Sequence, residues 1–280
     1  MSDSASVRTP SPLTRLVNGI FDRVVRSFET FGNVLVMSVG AARHTVTDVF
    51  RVRFPLREFL TQAWFIVSVS VIPTILVAVP FGVIISIQVG SLAAQVGATS
   101  FLGAANGLGV IRQGAPIVTA LLLAGAVGSA IASDLGARKI REELDALEAM
   151  GLSTVRRLVA PRILATMVIA VLLCGVVVFV GVVTGYAFNV LGQGGTPGSY
   201  VSSFAAFAQP SDLVLAMIKS VIFGGIVAVV ACYKGITASG GPRGVADAVN
   251  ASVVLSVVLL FAANVIITQI YASLVPQRVI

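Results

Sequence analysis

The stretch that decides the fold is Ala115–Ser133, APIVTALLLAGAVGSAIAS, which contains no charged side chain. A membrane-spanning helix needs about 20 predominantly apolar residues, so this stretch is long enough to cross a bilayer. Small residues recur at intervals of four along this stretch and just beyond its end, at Ala120, Ala124, Gly128, Ala132 and Gly136. Such spacing lets two helix backbones approach closely in lipid. It predicts a helix packed tightly against a neighbouring subunit or against the third span of the same chain.

The composition of the whole chain agrees with a membrane protein. Of its 280 residues 56% are hydrophobic and only 11% are charged, and the mean hydropathy is +0.98. A soluble domain usually carries about 25% charged residues, so an ordinary soluble enzyme is excluded. Charge-poor segments predict an all-α membrane protein with about five spans, at residues 65–89, 115–133, 163–190, 213–233 and 249–275.

One charge-free stretch, residues 59–111, is long enough for two helices. Its second half contains Gly97, Gly103, Gly107 and Gly109, and glycine weakens helices. We therefore expect residues 90–113 to form an outer loop or a short interfacial helix.

Basic residues give the orientation. Five spans place sixteen Lys and Arg on one face and only Arg112 and Arg278 on the other. Because cytoplasmic loops carry the excess of Lys and Arg, we expect the N-terminus in the cytoplasm and the C-terminus outside the inner (plasma) membrane.

The N-terminal region is predicted in two parts. Residues 1–12 are polar and rich in Ser and Pro, which predicts a disordered cytoplasmic tail. Residues 13–64 combine an apolar stripe with arginines, a pattern typical of a helix in the cytoplasmic interface. A solvated helix packed on the bundle is the alternative. Residues 65–280 are predicted to form the membrane domain.

The loop between the second and third spans is dense in charge. Residues 134–151 read as one short helix with an apolar face at Ile140, Leu144, Leu147 and Met150. Its opposite charges lie four residues apart in the pairs Arg138–Glu142, Lys139–Glu143 and Arg141–Asp145, and such pairs stabilise a helix. We expect a coupling helix that docks on a soluble partner, with contacts from Arg138, Lys139, Arg141, Glu142, Glu143, Asp145, Leu147 and Glu148. A helix that merely caps the bundle is the alternative.

Catalytic signals are absent from the sequence. None of the three lysines lies in a G-x-x-x-x-G-K-[ST] phosphate loop, no Gly-x-Ser-x-Gly elbow occurs, and His44 is the only histidine. Cys174 and Cys232 lie in apolar runs without metal-ligand spacing. We therefore expect no catalytic residue, no metal site and no cofactor bound by this chain, which leaves any ATP hydrolysis to another polypeptide.

The run from Gly109 to Ala165 resembles the MlaE/YrbE family of ABC-transporter permeases. The matching motifs are Arg112-Gln113-Gly114-Ala115-Pro116, the small residues Ala124–Ala130, Asp134-Leu135-Gly136, Asp145-Ala146-Leu147-Glu148 and Pro161-Arg162. The loop Gly240–Val245 also looks like the family's, and the general style is nearest to actinobacterial YrbE proteins of Mce systems.

The resemblance implies a permease subunit of an ATP-driven transporter that moves lipids or fatty acids. It also implies a second permease, identical or paralogous, a cytoplasmic ABC ATPase dimer that holds ATP and Mg, and extracytoplasmic Mce-domain proteins. Nucleic acid is not expected as a partner. The rival class is an ATP-independent secondary transporter or channel, against which stand the missing inverted repeat and the charged loop.

A substrate path is predicted near the outer side of the bundle. Many relatives carry Glu where this chain has Gln113, so Arg112 and Lys219 are expected to remain partly unpaired, with Asp212 two helical turns from Lys219 along their helix. Two such cations suit an anionic lipid head group, and Ile84, Ile87 and Leu92 are expected to line the acyl path. Alternatively, Lys219 snorkels to the outer interface.

Overall fold

The computed structural model describes residues 56–274, together with Gly32 and Gly40. The predictions for residues 1–55 lie outside the described residues, as do Arg278 and the last residue of the fifth predicted span.

The described chain is helical, with no strand between residues 56 and 274. The elements are α1 (Leu56–Gln95), α2 (Leu102–Ile140), α3 (Glu143–Ala149), α4 (Val155–Gly192), α5 (Pro197–Phe207), α6 (Pro210–Ile236) and α7 (Gly241–Leu274). Five of them, α1, α2, α4, α6 and α7, are long and apolar enough to cross a membrane. The prediction of an all-α membrane protein with five spans is confirmed.

The spanning helices are longer than the predicted spans. The 40 residues of α1 extend about 60 Å at 1.5 Å per residue, whereas the hydrocarbon core is about 30 Å thick. Helix α1 is therefore about twice as long as a perpendicular crossing of that core requires. We call the end with Leu56, Ile140 and Gly241 the inner end, because the basic residues predict that it faces the cytoplasm, and the opposite end the outer end.

Helices α1 and α4 pack through a stripe of mostly small residues. The buried positions of α1 recur at every fourth residue, at Ile66, Ser70, Thr74, Ala78, Gly82, Ser86 and Gly90. A Cβ atom on Gly82 would lie 2.8 Å from the carbonyl oxygen of Gly181 in α4. One turn farther out, the Ser86 hydroxyl donates to the Gly185 carbonyl at 3.2 Å. The two backbones are thus in direct contact.

The predicted outer loop at residues 90–113 is wrong. Helix α1 continues to Gln95, α2 begins at Leu102, and Leu102–Gly109 is buried at several positions rather than interfacial. The glycines are contact points: a Cβ atom on Gly103 would collide with the Tyr200 carbonyl of α5, and one on Gly107 with the Phe204 ring. Glycine is used here for close helix packing.

All five small residues of the α2 stripe, Ala120–Gly136, are buried. A Cβ atom on Gly128 would lie 3.2 Å from Val227 of α6, and one on Gly136 would lie 3.0 Å from Val245 of α7. At these positions the neighbours are the fourth and fifth spans of the same chain. The expectation of a neighbouring subunit or the third span is therefore wrong there, because the register along α2 turns its inner half toward α6 and α7.

The α1–α4 contact predicts a position-dependent cost of bulk. Gly82→Leu should lower the free energy of unfolding by about 1–3 kcal/mol or more, because overpacking against backbone forces the helices apart. Gly175→Leu in α4 is the matched control, since a Cβ atom there meets nothing within 4 Å. Thermal unfolding in detergent should separate the two variants, and equal melting temperatures would contradict the packing described.

Candidate functional site

Lys219 of α6 lies inside the bundle and is fully buried. Its Nζ donates to Thr268 Oγ1 at 2.9 Å and to Asn264 Oδ1 at 3.1 Å, both on α7. It also lies 3.3 Å from the Arg112 carbonyl and 3.4 Å from Gln113 Oε1, both on α2. The ammonium therefore joins three spans, and the predicted alternative of snorkelling to the interface is wrong.

Arg112 is paired with Asp212 at the first turn of α6. Arg112 Nε donates to Asp212 Oδ1 at 2.7 Å, and Nη2 donates to Oδ2 at 3.2 Å. The Asp212 side chain is 1% exposed and also accepts from the Gln209 backbone, which completes a capping box. The expectation that Arg112 remains partly unpaired is wrong, because α2 brings it across to the carboxylate.

A π-helical turn, Val110–Gly114, places this part of α2. Such turns are rare and often occur at functional sites. Here the turn presents both the Arg112 carbonyl and the Gln113 side chain to Lys219. We call the assembled group the outer polar cluster; it consists of Arg112, Gln113, Asp212, Lys219, Asn264 and Thr268. It holds two cations and one carboxylate.

The structure does not bring the predicted acyl-path residues to this cluster. Ile84, Ile87 and Leu92 are exposed on α1. Phe81 and Ile85 are the α1 residues closest to Gly114 of α2. Sequence reasoning missed Asn264 and Thr268, whose spacing of four on α7 was the available signal.

At the inner end, the predicted single helix over residues 134–151 is wrong. Helix α2 ends at Ile140, and Glu142 adopts a left-handed conformation with φ 59° before α3 begins at Glu143. Residues four apart across this turn no longer share a helix face. The observed pairs are Arg138–Asp134 at 3.2 Å, Lys139–Asp145 at 2.6 Å and Arg141–Glu143 at 2.7 Å, not those predicted.

Helix α3 is anchored by its apolar face and presents charge. Leu144 is 2% exposed and belongs to the main core, with Leu147 packed against that core. The predicted apolar residues Ile140 and Met150 are exposed instead. Exposed charged residues surround them, namely Arg141, Glu142, Asp145 and Glu148, while Arg138, Lys139 and Glu143 are half-buried. The surface of α3 is therefore mixed, with acidic and apolar groups side by side.

A buried arginine connects this region to the third span. Arg162, near the start of α4, donates from Nη2 to Asp134 Oδ2 of α2, and its side chain is 2% exposed. Asp134 also accepts from Arg138 Nε. Nε and Nη1 of Arg162 have no hydrogen-bond partner within the described part of the chain. Asp134 is thus the group that compensates the Arg162 charge.

No group of three His, Cys, Asp or Glu side chains that could hold a metal ion occurs among the described residues. Both cysteines are free and buried. The polar side chains at the two ends of the bundle bond to one another, as Lys219 does to Asn264 and Arg162 to Asp134.

Comparison with known proteins assigns the family. The family model described as Permease MlaE matches residues 59–270. This chain belongs to the MlaE permease family. It is 30% identical to a probable ABC transporter permease protein of Synechocystis over 87% of this chain and 89% of that protein.

Two other relatives have names that refer to lipids. The intermembrane phospholipid transport system permease protein MlaE of Haemophilus influenzae is 27% identical, over 92% of this chain and 98% of that protein. The chloroplastic protein Trigalactosyldiacylglycerol 1 of Arabidopsis thaliana is 29% identical, over 63% of this chain and 51% of that protein. The resemblance to MlaE permeases stated from the motifs is confirmed, while the actinobacterial affinity stays a prediction.

The Asp134–Arg162 pair predicts unequal effects of two neighbouring substitutions. Asp134→Asn should lower the free energy of unfolding by more than about 1 kcal/mol but by less than the about 3–5 kcal/mol of a fully buried pair, because it leaves the buried Arg162 uncompensated. Solvent screens part of the interaction, since the Asp134 side chain is 38% exposed. Arg138→Gln removes the more exposed partner of the same carboxylate and should cost less than about 1 kcal/mol.

Thermal unfolding of the two variants in detergent checks this prediction. Asp134→Leu combined with Arg162→Leu should recover most of the stability, because the double variant no longer holds a buried charge without its partner. Similar losses for Asp134→Asn and Arg138→Gln would show that Arg162 does not depend on this carboxylate.

Proposed function

We propose that this chain is the permease subunit of an ATP-driven lipid transporter of the Mla/Mce type, moving lipids or fatty acids across, or to and from, the inner membrane. The observation that carries the proposal is α3, which Leu144 anchors in the core and which presents a charged surface at the inner end. The sequence has no phosphate loop of its own. A separate ABC ATPase dimer, holding ATP and Mg, would supply the energy through this surface.

The wider assembly belongs to the same proposal. A second permease, identical or paralogous, and extracytoplasmic Mce-domain proteins complete the transporter, with the N-terminus of the chain in the cytoplasm and the C-terminus outside. Support comes from the family, from the phospholipid system named for the relative in Haemophilus influenzae, and from the distribution of basic residues.

The proposed coupling runs from α3 into the spans. Closure of the ATPase pair would push α3, whose Leu144 and Leu147 pack in the same core as α2, α4 and α6. The Asp134–Arg162 pair would carry the displacement from α2 to α4. At the outer end, the extra positive charge of the outer polar cluster favours an anionic or zwitterionic head group.

Reversing charge on α3 tests the coupling surface. Changing Glu142, Glu143 and Asp145 to Lys should abolish co-purification of the ATPase while the permease still inserts, because the acidic part of the surface becomes basic. The control changes two other acidic residues of the inner end, Glu58 and Asp247, to Lys. Unchanged co-purification and transport in the α3 variant would reduce α3 to a cap. If no ATPase co-purified even with the unaltered chain, the rival secondary transporter or channel would be favoured.

Lys219→Met tests the outer polar cluster as part of the substrate path. Transport of a labelled phospholipid by the reconstituted complex should be lost while ATPase binding is retained, because the cluster loses its buried cation. Lys234→Met is the matched control on the same helix, since Lys234 lies at the inner end over the Tyr233 ring. Normal transport by the Lys219 variant would remove the cluster from the path.

A further inference from the structure

Helix α7 buries a polar stripe although it is the least buried spanning helix described. Only 17% of its most apolar window is buried, against 28–61% for the other four. Ser252 and Ser256 are both 0% exposed. The next positions at this four-residue spacing are Leu260, which is buried, and Asn264 and Thr268, which bind Lys219. Four of these five positions are polar, on the one face of α7 that meets the bundle.

The two serine hydroxyls have no hydrogen-bond partner within the described residues. Several other buried hydroxyls of the spans donate to the carbonyl four residues earlier, as Ser70 does at 2.6 Å, Thr74 at 2.7 Å and Ser220 at 2.9 Å. That bond is the usual solution for a serine inside a membrane helix. The buried Thr119 hydroxyl of α2 also has no partner among the described residues. An unsatisfied buried hydroxyl is costly, so Ser252 and Ser256 are poised to bond to something else.

The register of α7 on α2 shows what faces these serines. Gly136 meets Val245 near the inner end, and Gln113 meets Thr268 near the outer end. The two contacts are the same number of residues apart on both antiparallel helices. Between them, Ser256 lies level with the second π-helical segment of α2, Leu123–Gly128, and Ser252 lies level with Ser129, the residue that follows it.

An apolar groove continues this interface toward the outer polar cluster. It is lined by Ile117, Ala120, Leu121, Phe223, Leu260, Phe261 and Asn264. Leu121 and Phe261 are exposed on the surface of the bundle. Asn264 closes the groove and bonds to Lys219 at 3.1 Å. The groove has a volume of only about 10 Å³, so the interface between α2 and α7 is closed here and must open before it can admit a lipid.

We propose that the interface between α2 and α7 opens during transport and that its polar stripe receives the head group of a glycerophospholipid. The acyl chains remain in the bilayer beside Leu121 and Phe261. The proposal rests on the proposed lipid-transport function and adds the route to it. A phosphate ester that crosses the apolar layer needs hydrogen-bond donors along its way. Ser256 and Ser252 supply two such donors below Lys219.

Removing the two hydroxyls tests the head-group role. Ser252→Ala with Ser256→Ala should leave the melting temperature unchanged or higher, because neither hydroxyl has a partner to lose. Transport of fluorescent phosphatidylethanolamine by the reconstituted complex should fall by about 5- to 30-fold, the factor for one or two hydrogen bonds.

The matched control is Ser70→Ala with Thr74→Ala, which removes two buried hydroxyls of α1 that bond within their own helix. This variant should transport at the parent rate. A merely structural role for the serines predicts parent transport in the Ser252 and Ser256 variant, and that result would overturn the proposal.

A reversible crosslink tests the opening. A Cβ atom on Gly136 would lie 3.5 Å from the Cβ atom of Val245, within the range of a disulfide. Gly136→Cys with Val245→Cys should stop transport when oxidised and recover it on reduction, while each single variant is insensitive to oxidant. Cys174 and Cys232 are buried and do not interfere.

The outcomes separate this proposal from the function on which it rests. Failure of the parent complex to bind an ATPase or to move lipid would refute the function itself. If the parent complex binds the ATPase and moves lipid, and the oxidised crosslinked variant transports at the same rate, only the opening between α2 and α7 is refuted.

Discussion

Direct backbone contact between helices is the constraint on which the rest of this structure depends. In a bilayer, apolar side chains gain little by leaving lipid for a neighbouring helix, so association relies on close packing and hydrogen bonds. The chain meets this requirement with small residues one turn apart, as on α1, where Gly82 contacts the Gly181 backbone of α4. Gly128 and Gly136 let α6 and α7 approach α2 in the same way.

Because α1, α2, α4 and α6 pack tightly, each charge buried between them must bond to a neighbouring span. Lys219 and Arg162 are both fully buried, near opposite ends of the bundle. Lys219 is satisfied by neutral oxygens from two other helices, and Arg162 depends on Asp134. Lys219 therefore fixes the relative positions of three spans, and Arg162 those of two. By contrast, α7 has little buried surface and two unsatisfied hydroxyls, which makes it the span whose movement disturbs the fewest contacts.

Much of the fold was predictable because charge and hydropathy decide where a helix can cross a bilayer. The five spans follow from that rule, and the buried positions of the α2 stripe follow from the four-residue spacing of its small residues. The outer half of α2 was missed because glycine spacing alone does not distinguish a loop from a close contact. Gly103 and Gly107 lie in a helix on which α5 packs closely, and α5 comes about a hundred residues later in the chain.

The two sites were less predictable, for reasons that lie in tertiary contacts. The Arg112–Asp212 pair joins residues one hundred positions apart, and no periodicity links them. The turn at Glu142 contains neither glycine nor proline, so the charge spacing across it predicted pairs that a continuous helix would make. The residues of α3 were identified correctly as a charged segment, but the geometry of the segment depends on how Leu144 enters the core.

The most direct test of the account is the coupling of lipid movement to ATP hydrolysis in a purified complex. The chain is reconstituted with its co-purifying partners in vesicles, and transfer of a labelled phospholipid is followed with ATP or with a non-hydrolysable analogue. The account predicts that the labelled phospholipid is transferred with ATP but not with the analogue. It also predicts no transfer when this chain is omitted. Equal transfer with the analogue, or without any ATPase, would contradict it.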